Sequence, residues 1–176
     1  MRAHLLMFTI LAFVSCNNSS DSKQIPAETF VQKKYWLDRP GYLLQYYPNW
    51  TIDSTDKDFD LDSFFTLNPP VENGFATFFI YGKSTDEKEN VEAQVLAHLR
   101  TTMKNGKVIY FEKLGNYTGH GAMIQGKMKG IDSAEIKIFS HSSGSQSFLL
   151  VVGYSTIDKA IVSPGIELIE NSFKLK

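Results

Sequence analysis

The chain has one cysteine, Cys16, in 176 residues. A lone thiol excludes disulfides within the chain and any metal site built from several cysteines. Stability must then come from a packed core. Neither sign of charge is in excess: 18 basic and 19 acidic residues leave a net charge of −1, with no basic cluster. A nucleic-acid partner is therefore not expected. No apolar run approaches the ~20 residues that a membrane-crossing helix needs. A G-x-S-x-G motif, an internal repeat and a long low-complexity tract are all missing. The composition, 43% hydrophobic and 21% charged, is that of an ordinary globular domain.

What is present begins at the N-terminus. Arg2 precedes an apolar run from Leu5 to Val14, and Ser15, a small residue, stands before Cys16. A cation, a short apolar stretch and a small-residue cleavage site make a secretory signal, too short to span a bilayer. Cys16 is then the expected acceptor of a diacylglyceryl group. Phe13 stands where bacterial lipoproteins usually carry leucine, a departure that resembles the looser signals of Bacteroidota. The competing reading is an ordinary secretory signal with an incidental cysteine.

Residues 1–15 thus read as a signal peptide, 16–29 as the lipidated cysteine and a flexible tether, and 30–176 as one globular domain. Two or three acyl chains anchor stably, at ~0.8 kcal/mol per buried methylene. Asn17 to Ala27 would reach roughly 17–20 Å as a coil. The expected place is the cell envelope, in the periplasm or at the cell surface. The membrane is one partner, through the lipid, and an envelope protein is the other.

Gly41–Tyr47 reads as a strand stopped at Pro48-Asn49. Asp58–Phe65 alternates strictly and reads as a half-buried strand, and Phe75–Tyr81 is rich in strand formers. Ser84 and Glu87 form a capping box before a helix carrying Val91, Val95, Leu99 and Met103, with Gly106 expected just past its end. Four strands follow: Val108–Leu114, Ala122–Lys129, Ala134–His141 and Ser147–Tyr154. The last is apolar on both faces, which predicts a central strand. A second helix is expected between Ile157 and Ser172, interrupted near Pro164-Gly165, with Ser163 capping its second half. Consecutive hairpin-linked strands predict an α+β fold: a mostly antiparallel central sheet packed by two or more helices.

The order of elements resembles a known family. Tyr46-Tyr47-Pro48-Asn49-Trp50 ends the opening strand, a long helix follows the early strands, a meander of long strands comes next, and a last helix closes on Asn171-Ser172-Phe173. From about Gly41 to Leu175 this is similar to the PsbP-like superfamily, which includes the extrinsic photosystem II subunit and a nuclear Ran-binding protein. The resemblance implies an antiparallel sheet between helices, an α/β/α sandwich. It also implies a binding or assembly module rather than an enzyme.

Candidate chemistry is sparse. Asp58, Asp60 and Asp62, with Asp56, would line one face of the alternating strand and suggest Ca²⁺. An EF-hand loop counted from Asp58 needs Gly and Glu where Ser63 and Pro69 stand, so a solvated edge face competes with that reading. His120 and His141 flank the predicted hairpin. Even-numbered apolar residues on both strands demand an even-to-even register, expected from a three-residue turn at Gly130–Asp132. That register sends the two imidazoles to opposite faces, His141 with the polar odd set Glu135 and Lys137. Ser142, Ser143, Ser145 and Ser147 read as turn residues, and Gly115 to Gly130 as close-packing or bulge positions. Trp36 and Trp50, in the densest aromatic stretch, are the candidates for an exposed partner anchor. No cofactor is expected. The functional expectation is a membrane-anchored, non-catalytic binding or assembly module. The alternative is an envelope hydrolase with an active site of unfamiliar pattern.

Overall fold

The computed structural model describes residues 33–176 apart from 82–84, 129 and 145, and the backbone alone for 85–91, 104 and 105. The readings at Cys16, at the signal and tether, and at Ser84, Lys129 and Ser145 lie outside the described residues, as do the side chains of Glu87 and Val91. Strands β1 (Tyr35–Asp38), β2 (Tyr42–Tyr46), β3 (Thr51–Asp53), β4 (Phe64–Asn68) and β5 (Gly74–Tyr81) precede helix α1 (Thr85–Thr102). Four long strands follow: β6 (Lys104–Leu114), β7 (Tyr117–Met128), β8 (Ile131–Ser143) and β9 (Gln146–Ser155). A 3-10 turn (Thr156–Asp158) leads into helix α2 (Lys159–Ser172), and β10 (Lys174–Leu175) ends the chain.

The strands form two sheets with every pair antiparallel. The large sheet has seven strands in the order β3-β4-β5-β9-β8-β7-β6, and the small one three, β1-β2-β10. The large sheet has a core on each face. Phe148, Leu150 and Val152 of β9 point to one side with Ala76, Phe78 and Ile80 of β5. There α2 buries Val162, Ile166 and Ile169, and the small sheet buries Leu37, Tyr42 and Leu44. Leu149 and Val151 point to the other side, against Leu99 of α1 and Met103 just past its end. The period-two alternation of strands thus divides the apolar residues between two cores. This is the mostly antiparallel α+β architecture that the order of elements predicted, and β9 is buried on both faces as expected of a central strand.

Phe173 caps the end of α2 and joins the layers. Its ring centroid lies 4.7 Å from that of Phe148, 5.0 Å from Phe78 and 6.0 Å from Tyr42 and Tyr117. Ser172 beside it accepts the backbone N–H of Gln45 at 2.8 Å, which ties the helix end to β2.

Several local expectations are corrected. Asp58–Phe65 is not a strand: residues 56–63 are turns with a single bridge, and β4 begins at Phe64. Two of the aspartates, Asp56 and Asp60, cap local turns. Asp56 accepts the N–H of Asp58, and Asp60 accepts the N–H of Asp62 and the hydroxyl of Ser63. Such local bonds compete with a sheet ladder and win here. Phe59 and Leu61 still pack on the core, so the pattern of burial is right and the element is wrong. α1 ends at Thr102 and β6 begins at Lys104, so Gly106 is a strand residue in an irregular stretch rather than a helix cap. α2 runs unbroken through Pro164, with Asp158 in place of Ser163 at its N-cap. Even-to-even register holds in the β7–β8 hairpin, as in Ile124↔Ile136, but it closes at Met128↔Ile131 with a shift after Gly126 instead of a three-residue turn.

Phe173→Ala should destabilise the protein by about 3–5 kcal/mol, because its cavity opens among four rings at once. A urea melt measures this, and a loss under 1 kcal/mol, about one buried methylene's worth, would mean that the two sheets hold together without it.

Candidate functional site

The core beneath α1 thins out at the end of the sheet where the β7–β8 hairpin meets the β4–β5 loop. There a recess of about 210 Å³ opens over Phe75, Met128, Ile131, Ala134 and Ile136. Its shape depends on a cross-strand pair. Phe75 lies opposite Gly153, and a Cβ at 153 would stand 2.6 Å from the Phe75 ring, so any larger residue would push the ring aside. Asn73 and Ile131 also line a second hollow of about 270 Å³, which continues past Ser133, Ser155 and Thr156 to Ile157. The hydroxyls of Ser155 and Thr156 donate to the Ser133 carbonyl at 3.5 and 3.4 Å, long bonds that an incoming polar group can replace. Ile157 is 88% exposed, and Ile161, four residues on, is 56% exposed. Glu72 and Asp132 line the two hollows, and Asp158 follows Ile157.

The recess is sized for one large apolar side chain, since an apolar cavity of about 150 Å³ holds a benzene ring. Polar groups beyond it suit a backbone, and the carboxylates suit a cation. Sequence reasoning missed this site. Its traces were a glycine inside the apolar run of β9 and an isoleucine in the polar stretch after it.

On the opposite face, below α2, a polar cluster interrupts the core. The sequence reading put Glu135 on a polar outer face, but it is 4% exposed. Its Oε1 accepts the Tyr154 hydroxyl, and its Oε2 accepts Gln125 Nε2 at 2.8 Å and Lys159 Nζ at 3.3 Å. Burial pushes the Glu135 pKa up, but these three donors outweigh it and hold the carboxyl below its ordinary value. Tyr154 is raised in turn, by burial first and then by that carboxylate. Lys137 and Glu170 make a second pair at 2.6 Å, where burial raises the Glu170 carboxyl against the pull of the lysine. With both oxygens of Glu135 engaged, the cluster clamps β7, β8, β9 and the first residue of α2 together.

The residues singled out in the sequence are not brought together. His141 packs against Tyr117 and Phe148, with Nδ1 2.8 Å from the Thr118 carbonyl. His120 lies on the other face, in a separate recess of about 500 Å³ with Glu92, Glu112 and Ser140, so the predicted split of the histidines holds. The Ser140 hydroxyl turns to the backbone carbonyl of His120 at 3.5 Å, and that of Ser143 to the Gln146 carbonyl. Asp58, Asp60 and Asp62 sit in their turns, with Asp62 held by Arg39 at 2.7 Å. Among the described residues no group of three His, Cys, Asp or Glu side chains is placed to hold a metal. Trp36 is 60% exposed on β1, whereas Trp50 is 3% exposed. Trp50 cannot be a surface anchor, because its indole lies against Gly165 of α2, where a Cβ would stand 2.5 Å from the ring.

A carboxyl with a lowered folded-state pKa stabilises the fold above its unfolded value, and that contribution disappears as pH falls through the folded value. The stability gap between wild type and Glu135→Gln should therefore be widest at neutral pH and close on acidification below the ordinary value of 4.5. Glu170 has the opposite sign, so its gap should grow on acidification. Denaturant melts across pH 3–7, the range that spans ordinary carboxyl titration, measure both. Parallel curves for wild type and Glu135→Gln would overturn the assignment.

Among the described residues no helix is long and apolar enough to cross a membrane. No protein-family model matches the sequence, and no curated protein matches it. Solved structures do match in shape. The solution structure of cyanobacterial PsbP (CyanoP) from Synechocystis sp. PCC 6803 is similar with a TM-score of 0.56 and 7% identity, over 85% of this chain and 96% of that one. LpqN, described as involved in cell envelope biogenesis of Mycobacterium tuberculosis, matches with a TM-score of 0.52 and 10% identity, over 82% and 91%. A protein from Bacteroides thetaiotaomicron VPI-5482 matches with a TM-score of 0.52 and 13% identity, over 82% of this chain but 49% of that chain, so this chain spans about half of its length. At these identities the likeness shows the fold, and that fold is PsbP-like.

Proposed function

We propose that this protein is a lipid-anchored envelope module that binds a partner protein and catalyses nothing. The observation that carries this reading is the double recess at the end of the sheet. It has an apolar floor, a polar continuation and acidic neighbours, an arrangement suited to one large apolar side chain flanked by basic residues. Recognition by one buried anchor with a polar surround is the usual anatomy of a protein interface. The fold shared with LpqN supports an envelope setting, and the apolar run before Cys16 supports the anchor. A tether would confine the recess near the membrane and raise its effective concentration toward envelope partners. Exposed Trp36 is a second contact candidate, on a different sheet from the recess.

Peptides with one Phe, Trp or Leu between lysines or arginines should bind the full chain, and added salt should weaken them. Ile131→Asp should cost at least about 2 kcal/mol of binding, roughly thirtyfold, while Ile157→Asp, already solvent-exposed, should weaken binding without changing the melt. Equal binding of acidic peptides, or no effect of either change, would overturn this site. Turnover of ester, glycoside or peptide substrates, lost on changing His120 or Ser140, would overturn the non-catalytic reading.

The anchor is tested separately. Radiolabelled palmitate supplied to a bacterial host should enter the wild-type protein and not Cys16→Ser. A protein that is unlabelled, cleaved elsewhere and released would sink the lipid reading.

A further inference from the structure

The two edges of the large sheet differ. β3 has three residues, too few to template a partner, and β6 has eleven. Long exposed edges are normally blunted, and β6 is blunted at its ends: the ladder to β7 shifts between Lys104 and Lys107 and again between Phe111 and Lys113. Between the shifts lies a regular stretch with apolar side chains on both faces. Val108 and Tyr110 pair with Ile124 and Ala122, which places them on the α1 side of the sheet. Ile109 and Phe111 alternate to the other side, where Phe111 stacks on Phe139. Val108 and Ile109 are each 37% exposed and Tyr110 is 72% exposed.

We propose that this stretch pairs antiparallel with β6 of a second copy, joining two sheets into one across a twofold axis. A twofold axis perpendicular to a sheet sets each residue opposite one that points to the same face, which limits the registers. Centred on Ile109, the pairing sets Ile109 against Ile109 of the second copy on one face. On the other it sets Val108 against Tyr110 twice over. Centred on Tyr110, it sets Lys107 against Lys113, a like-charge pair that disfavours that register. Centred on Val108, it sets Ile109 against Lys107 and leaves Tyr110 facing Gly106. The register centred on Ile109 opposes apolar residues at 108, 109 and 110, sets Lys107 against Phe111 at each end, and opposes no like charges. It also closes the assembly, because each copy uses its one long edge and presents the three-residue β3 outward. This surface lies apart from the recess, so the two readings stand or fall independently.

Disulfide trapping tests the register. Each variant is made in the full chain with Cys16→Ser, so the introduced thiols are the only ones. Under mild oxidation Ile109→Cys should form covalent dimers about tenfold faster than Ile157→Cys, a more exposed thiol off the edge, because the register holds position 109 within disulfide reach of itself. The double variant Val108→Cys/Tyr110→Cys should crosslink as readily, which serves if Ile109→Cys folds poorly. Adding Tyr110→Asp to Ile109→Cys should suppress trapping without changing the melt. Trapping of Ile109→Cys no faster than of Ile157→Cys would overturn the proposal. So would equal trapping of Val108→Cys alone, or a crosslinked species whose mass is not twice that of the chain.

Discussion

The fold depends on one aromatic seam. Phe65 stacks on Phe78, Phe78 meets Phe173, Phe173 meets Phe148, Phe148 meets Phe139, and Phe139 stacks on Phe111, each step between 4.7 and 6.0 Å. That run crosses the large sheet from β4 to β6 and takes in the end of α2. Rings supply large buried area with few rotamers, and offset or tilted contacts between them add to plain burial. The small sheet has three strands, one of them two residues long, and little ladder of its own. It stays in place because Tyr42 stacks on Phe65 and meets Phe173, and because Ser172 takes the Gln45 amide.

The same constraint explains where the surface is open. Among the described residues, the core on the α2 side is closed by a helix and a second sheet, while the opposite core has α1 alone. At the end of the sheet beyond Leu99 and Met103, the partly buried Phe75, Met128 and Ile131 face a recess instead of another layer. At the β6 edge, among the described residues, no helix covers Val108 and Tyr110 deeply enough to bury them, and Tyr110 is 72% exposed. Both proposed interaction surfaces are places where one helix is too little cover for one face of a seven-stranded sheet.

Glycines set how closely the layers approach. At Gly121 a Cβ would stand 2.3 Å from the Phe111 ring, so the glycine lets that ring fold over β7 to reach Phe139. Gly115 has φ 53° in the β6–β7 turn, and a Cβ there would meet the Glu170 carbonyl at 2.3 Å. A turn that needs a left-handed residue and a helix that needs close approach are both satisfied by the same residue.

Element types were legible in the sequence wherever periodicity was long. β9 is apolar on both faces and is central, α1 carries Val95 and Leu99 on its core side with Met103 just past its end, and even residues of β7 meet even residues of β8. These follow because burial on a face imposes a period on the chain, and a period is readable without knowing what covers the face. It misread Asp58–Phe65, where alternation survived in Phe59 and Leu61 but local aspartate bonds replaced the ladder. It also misread Pro164, which α2 absorbs without a break. The remaining features depend on contacts between elements far apart in the chain. The odd face of β8 became an interior only when α2 lay over it, which turned Glu135 from a surface charge into a buried clamp. Trp50 and Trp36 are alike in sequence, yet the first lies under Gly165 and the second in solvent. The recess has walls from β5, β7, β8 and β9, and no local pattern encodes a space enclosed by four strands that meet through long-range pairing.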